Sequence, residues 1–303
     1  MADGLRLRWR RGARRLMFLS VRSLLGLVGF ARAGALGHLF GELQFRLAGG
    51  TRRRMAADMA LALGRPADDP TVPQLLREAY RVNTAAVFEV VAMLDRRQDE
   101  ATLVARSQID GLEHLRAALS AGRGAILLAA HMGNAALLPL RLAGAGWPVS
   151  VVYKHARMMS ADFFVEGLAR YGVQGIAANG GLRAYGEMLA ALKQGRIVFL
   201  MLDQGVKEER DGIVHRFLGK DMPMSAGPAQ LARAAKAPLL PVATIAATPV
   251  WRFAIEPPLS LGRASLEADA ATLVAATERI VLGQPQLWSW PQRRWRKFST
   301  APR

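Results

Sequence analysis

The chain has 303 residues, with 41 Lys and Arg against 24 Asp and Glu, a formal charge of +17 and a pI of about 11.4. With 51% hydrophobic and 21% charged residues it is too apolar and too mixed for a disordered basic tail, and a chain of this length buries about three quarters of its unfolded surface without metal or disulfide staples. It has no cysteine, which excludes disulfides, thiolate metal sites and a cysteine nucleophile, and its charge leaves nucleic acid, an anionic membrane surface, or an acidic or phosphorylated partner.

The N-terminus opens with Arg6, Arg8, Arg10, Arg11, Arg14 and Arg15 against the single acid Asp3, followed by an apolar stretch from Leu16 to Phe30. That stretch is interrupted by Arg22 and falls short of the roughly 20 apolar residues a spanning helix needs. Arg32 sits where a signal-peptide cleavage site would lie, which weakens that alternative. Leu16, Met17, Leu24, Leu25 and Val28 recur at spacings near three and four. Residues 1–30 therefore read as a basic amphipathic helix lying on an anionic membrane surface, with a helix packed on its own domain as the plainer alternative.

Residues 31–105 read as helical, broken by the loop at 64–70, with a long helix over 72–94. Over 106–303 short apolar runs alternate with amphipathic stretches, the pattern of α/β packing. Ala125 to Ala130 is almost wholly apolar, as a strand covered on both faces would be. Further strands are expected at 149–153, 196–202, 239–245 and 252–255, with helices at 135–144, 160–171, 181–194 and 225–236. The fold class is α/β, a mostly parallel or mixed central sheet flanked by helices, with a helical N-terminal section. Residues 1–30 are expected to associate with the membrane and 31–303 to form one domain.

The five histidines, His38, His114, His131, His155 and His215, show no metal-ligand spacing, so no metal or other cofactor is expected. Walker A, GxGxxG and GxSxG sequences are absent, which leaves acid–base chemistry on a histidine. His131 follows the buried strand and precedes Met132-Gly133-Asn134, at the strand end where open α/β sheets bind ligands. Gly133 permits a tight turn, and the helix expected after it would aim its first N–H groups at a developing anion. A structural histidine closing the strand is the other reading.

The block Ala129-Ala130-His131-Met132-Gly133-Asn134-Ala135-Ala136 resembles the catalytic block of the lipid A biosynthesis lauroyl and myristoyl acyltransferases, within the lysophospholipid acyltransferase superfamily. Three further blocks resemble the family in order. They are Asp203-Gln204-Gly205 after an apolar strand, Phe217-Leu218-Gly219 leading to Gly227-Pro228 and Ala237-Pro238, and Gln284-Pro285-Gln286-Leu287-Trp288-Ser289-Trp290 with Arg293-Arg294-Trp295. The resemblance implies transfer of an acyl chain from acyl carrier protein or acyl-CoA to a lipid acceptor at the cytoplasmic face of the inner membrane. His131 would be the base, and Gly133, Asn134, Gly227 and Pro228 would shape the substrate site. Nucleic acid drops out as a partner, because no RNP, helix-turn-helix or zinc motif accompanies the charge.

The sequence departs from the family where the motif acid stands, five residues after the histidine, which is Ala136 here; the family's C-terminal His reads Gln292. Either another acid such as Asp203 or Glu89 substitutes, or the chain is an impaired homologue that binds acyl chains or partners, or the acceptor is an amine or activated group needing less base assistance. Asp203 reads equally as catalytic support and as a turn cap. Arg170 stands where the family has an Arg before a Gly and would bind phosphate, or is a solvated helix charge. Glu89 on an apolar helix suggests an internal ion pair. Trp288, Trp290 and Trp295 with the neighbouring basic residues read as an interfacial belt, with core packing as the alternative.

Overall fold

The computed structural model describes residues 2–154, 161–206 and 211–290. Five helices come first: α1 (Ala2–Val28), α2 (Phe30–Leu47), α3 (Gly49–Ala62), α4 (Val72–Asp95) and α5 (Glu100–Ala105). The remaining elements are β1 (Ser107–Asp110), α6 (Leu112–Leu119), β2 (Ala125–Ala129), α7 (Leu138–Gly144), β3 (Val149–Tyr153), α8 (Ala161–Ala169), β4 (Gln174–Ala177), α9 (Leu182–Lys193), β5 (Ile197–Met201), β6 (Ile213–Phe217), β7 (Lys220–Met224), α10 (Gly227–Ala235), β8 (Leu239–Ala246), β9 (Trp251–Ile255) and α11 (Leu266–Gly283).

Seven strands form one sheet in the order β1-β9-β8-β2-β5-β3-β4, and β6 and β7 form a separate antiparallel hairpin. All neighbours in the large sheet are parallel except β8 and β9, so the α/β class with a mostly parallel sheet flanked by helices is what the chain adopts. β2 lies in the middle and is buried along its whole length. Its Ile126 and Leu128 enter one core with α9, α10 and α11, while Ala125, Leu127 and Ala129 enter the other with α6, α7 and α8. A strand that faces two cores must be apolar at every position, and this one is.

α4 serves both cores: Leu76, Ala79 and Val82 belong to the first, and Phe88, Val91, Met93 and Leu94 to the second. α2 lies against it along a glycine stripe. A Cβ at Gly34 would meet Glu89, one at Gly37 would meet the backbone of Ala85, and one at Gly41 would meet the backbone of Tyr80 and Arg81. α1 turns Phe18 and Leu25 into the second core, with Phe18 edge-on to Phe163 at 5.2 Å and Arg22 paired to Asp95 at 2.7 Å. It leaves Leu16, Met17, Leu19 and Leu27 in solvent, and α2 does the same with Leu39, Leu43 and Leu47, one stripe at a spacing of four. Among the described residues no helix is long and apolar enough to cross a membrane.

The strands expected at 149–153, 196–202, 239–245 and 252–255 are present within a residue or two. The helix expected at 135–144 begins instead as a tight 3₁₀ turn, Ala135–Leu137, before α7. That difference has a consequence at the site.

Candidate active site

β2 and β5 are neighbours in parallel register, Ala129 opposite Met201, so the chain leaves both at the same edge of the sheet. From there β2 passes to α7 on one face and β5 passes through the hairpin to α10 on the other, which is where an open α/β sheet holds a ligand. Two residues beyond each strand stand His131 and Asp203. The imidazole Nδ1 lies 2.7 Å from Asp203 Oδ1. Asp203 is 1% exposed while the His131 side chain is 39% exposed, so the pair has a buried acid behind a ring that reaches solvent.

Burial alone would raise the Asp203 carboxyl, but the charge of His131 and the hydrogen bonds from its ring and from Trp288 outweigh it and hold the carboxyl below its ordinary value. An ionised Asp203 can only accept, so Nδ1 carries the proton and Nε2 keeps its lone pair. The other carboxylate oxygen accepts from the Trp288 indole N–H at 2.8 Å. Trp288 is wholly buried, edge-on to Trp290 at 4.7 Å and to Phe217 of the hairpin at 6.5 Å.

This corrects the interfacial reading of the C-terminal tryptophans: Trp288 and Trp290 are core residues. Trp295 and the basic residues around it lie outside the described residues. The segment carrying Trp288 is stitched to the turn after β2. The Gly133 N–H donates to the Leu287 carbonyl at 2.8 Å, the Ser289 N–H donates to the His131 carbonyl at 2.9 Å, and Asn83 of α4 donates to the Trp288 carbonyl at 3.1 Å. Asn83 went unnoticed in the sequence, and Trp288 was noticed without its tie to Asp203. A buried indole must find an acceptor for its N–H, and that need was the available signal for Trp288.

Gly133 has φ +44, and a Cβ there would sit 3.2 Å from Ala247 Cβ, so the turn needs glycine for both conformation and space. Asn134 is fully buried and donates from Nδ2 to Glu89, turned inward away from solvent. Glu89 also takes Arg106 Nη2 at 2.6 Å and the Trp251 indole N–H at 2.9 Å, which is the internal ion pair expected of it. Burial pushes its carboxyl up, against the opposing pull of Arg106 and the hydrogen bonds.

The tight 3₁₀ start spends several of the N–H groups that the expected helix would have aimed at an anion: Met132 N–H donates to Ala130, Ala135 N–H to Met132 and Leu137 N–H to Asn134, in addition to Gly133 on Leu287. Ala136, where the resemblance in sequence would put the motif acid, is exposed on the outside of this turn. Arg170 is also placed elsewhere: its guanidinium donates to the Leu94 carbonyl at the end of α4 and pairs with Glu166 at 3.7 Å. Gly227 and Pro228 form the first turn of α10, where the Gly227 N–H donates to Ser225 Oγ at 3.2 Å. No described hydrogen bond brings either of them or Arg170 to His131.

The family described as bacterial lipid A biosynthesis acyltransferase matches residues 9–297. The chain is 28% identical over 221 residues to a phosphatidylinositol mannoside acyltransferase of Mycobacterium tuberculosis, a stretch covering 72% of this chain and 66% of that protein. It is 27% identical over 248 residues to the protein of the same description from Mycolicibacterium smegmatis, covering 81% of this chain and 80% of that one.

Proposed function

The chain belongs to the bacterial lipid A biosynthesis acyltransferase family, and on that premise we propose that it transfers a fatty acyl group from a thioester donor, acyl carrier protein or coenzyme A, to a hydroxyl of a lipid acceptor at an anionic membrane surface. The observation that carries this reading is the His131–Asp203 pair, a half-exposed imidazole backed at 2.7 Å by a buried carboxylate. His131 Nε2 takes the proton of the attacking hydroxyl, and Asp203 holds the required tautomer and offsets the imidazolium charge. When the tetrahedral intermediate collapses, the same proton is delivered to the leaving sulfur. Asp203 supplies from the end of β5 the carboxylate that Ala136 cannot.

The acceptor belongs to the lipid classes in the names of the family and its relatives, a lipid A type acceptor or a phosphatidylinositol mannoside. The exposed leucines of α1 and α2, on a chain of net charge +17, support seating at the surface of an anionic membrane, with the cytoplasmic face of the inner membrane as the location.

The test is incubation of the full chain and its His131→Ala variant with acyl-CoA and acyl carrier protein thioesters and a panel of bacterial lipids in anionic vesicles, read by mass spectrometry. Wild type is expected to yield an acylated lipid, and His131→Ala to lose about two to four orders of magnitude of rate. A product formed equally by both proteins defeats the proposed chemistry.

A further inference from the structure

The four N–H groups accounted for around His131 are spent within the turn or on the C-terminal segment, yet a thioester carbonyl under attack needs a donor for its developing oxyanion. Gln204 follows Asp203 at the carboxyl end of β5, half-buried, and its amide Nε2 lies 3.4 Å from Nδ1 and 3.4 Å from Nε2 of the His131 ring. These distances are too long for good N–H···N hydrogen bonds. Their equality also fixes where the amide is. An atom in the ring plane at the same distance from both nitrogens would collide with the carbon between them, so the amide lies over the face of the ring. Nδ1 is meanwhile occupied by Asp203, which leaves the Gln204 amide stacked beside the nitrogen that receives the substrate proton.

We propose that Gln204 is a catalytic residue that donates an amide N–H to the thioester carbonyl oxygen as it becomes an oxyanion. The proposal rests on the acyl-transfer reading above. A hydroxyl oxygen in hydrogen-bond contact with His131 Nε2 attacks a carbonyl carbon about 3–3.5 Å further on, so the carbonyl oxygen falls within reach of a donor alongside the same nitrogen. The amide carries two N–H groups, so one can serve the substrate while the other keeps a protein partner. In the step itself the hydroxyl O–C bond forms, the carbonyl electron pair moves to the oxygen facing Gln204, and the hydroxyl proton moves to Nε2. On collapse the C–S bond breaks and that proton passes to the sulfur, releasing the thiol.

Two variants of the full chain, Gln204→Met and Gln204→Glu, test this beside wild type and His131→Ala. Methionine keeps the stacked volume and removes the donor. It is expected to lower kcat about 10²–10³-fold, with KM for the acyl donor, the acid limb of the rate–pH profile and the melting temperature unchanged. Glutamate places a negative charge against the imidazole face, so kcat falls and the acid limb moves to higher pH, a displacement that packing alone does not produce. Gln204→Met at wild-type kcat, or a loss confined to KM, overturns the assignment while leaving His131 and Asp203 in place. A wild-type protein that transfers from no thioester overturns it together with the reading beneath it.

Discussion

Asp203 after β5 and Glu89 in the middle of α4 are both buried carboxylates, each accepting from a buried indole, Trp288 and Trp251 respectively, and each bound to the turn that follows β2. Their acidities nevertheless move in opposite directions, Asp203 down and Glu89 up. Both are burdened by burial, so the difference lies in the partners. Asp203 shares its proton chemistry with an imidazole that opens to solvent. Glu89 is locked against Arg106 and Asn134, which ties α4, the end of α5, β9 and the turn after β2 into one unit. Equal burial and similar partners therefore do not make equal roles: under the proposed chemistry the carboxylate facing a titratable, half-exposed group serves the reaction, and the one facing fixed donors serves the scaffold.

Asp203→Asn should break this contrast most severely. The amide would hold the wrong imidazole tautomer, and kcat is expected to fall about 10⁴-fold, the cost known when a triad acid becomes its amide. The linkage also has a definite sign. A carboxyl depressed in the folded state adds stability above its unfolded value of about 3.9 and loses that stability as pH falls through the folded value. Melting temperature between neutral and acid pH should therefore drop more for wild type than for Asp203→Asn. Equal drops would show that the pair stores no such stability.

Glu89→Ala should invert the pattern. Removing it strands Arg106, the Trp251 indole and Asn134 in the interior, and about 3–5 kcal/mol of stability is expected to go, measured by denaturant unfolding. The kcat of the folded fraction should fall far less than in Asp203→Asn. The pH signature also has the opposite sign. A carboxyl raised in the folded state loses stability as pH climbs from its unfolded value through the folded one, so Glu89→Gln should flatten the alkaline side of that range. If Glu89→Gln instead cost as much kcat as Asp203→Asn, the division between scaffold and reaction would fail.

What the sequence made legible follows the same division. The buried strand β2, the strands at 149–153 and 239–246, and His131 at a strand end all carry local signals, because apolar runs and chain order are local. Glu89 was readable as an ion pair because a carboxylate inside an apolar helix has few other fates. Its partners Asn134 and Trp251 lie 45 and 162 residues away and left no periodic trace. Asp203 was one of two acids that could replace the motif carboxylate, and only the parallel register of β2 with β5 brings it to His131. Trp288 and Trp290 were misread because an aromatic-basic run looks the same in sequence whether it meets lipid or closes a core. Short elements went unseen as well: β1, β4 and the β6–β7 hairpin are 4 or 5 residues each and depend on pairing for their existence.

The smallest effect is expected at Ala136, where the resemblance in sequence would put the motif acid. Ala136→Glu would complete the motif implied by that resemblance, and on the motif alone it should rescue a crippled enzyme. The geometry argues otherwise. Ala136 is exposed on the 3₁₀ turn, and His131 Nδ1 already has the buried Asp203 carboxylate at 2.7 Å. A second carboxylate would act on the imidazolium through solvent, where such pairs are worth about 0–1 kcal/mol, or at most about a fivefold change in kcat. Kinetics of Ala136→Glu beside wild type therefore separate two accounts of one alanine. A change within that range means the acid has been relocated to β5, whereas a gain of two orders of magnitude would make the natural chain the impaired homologue and Asp203 a turn cap after all.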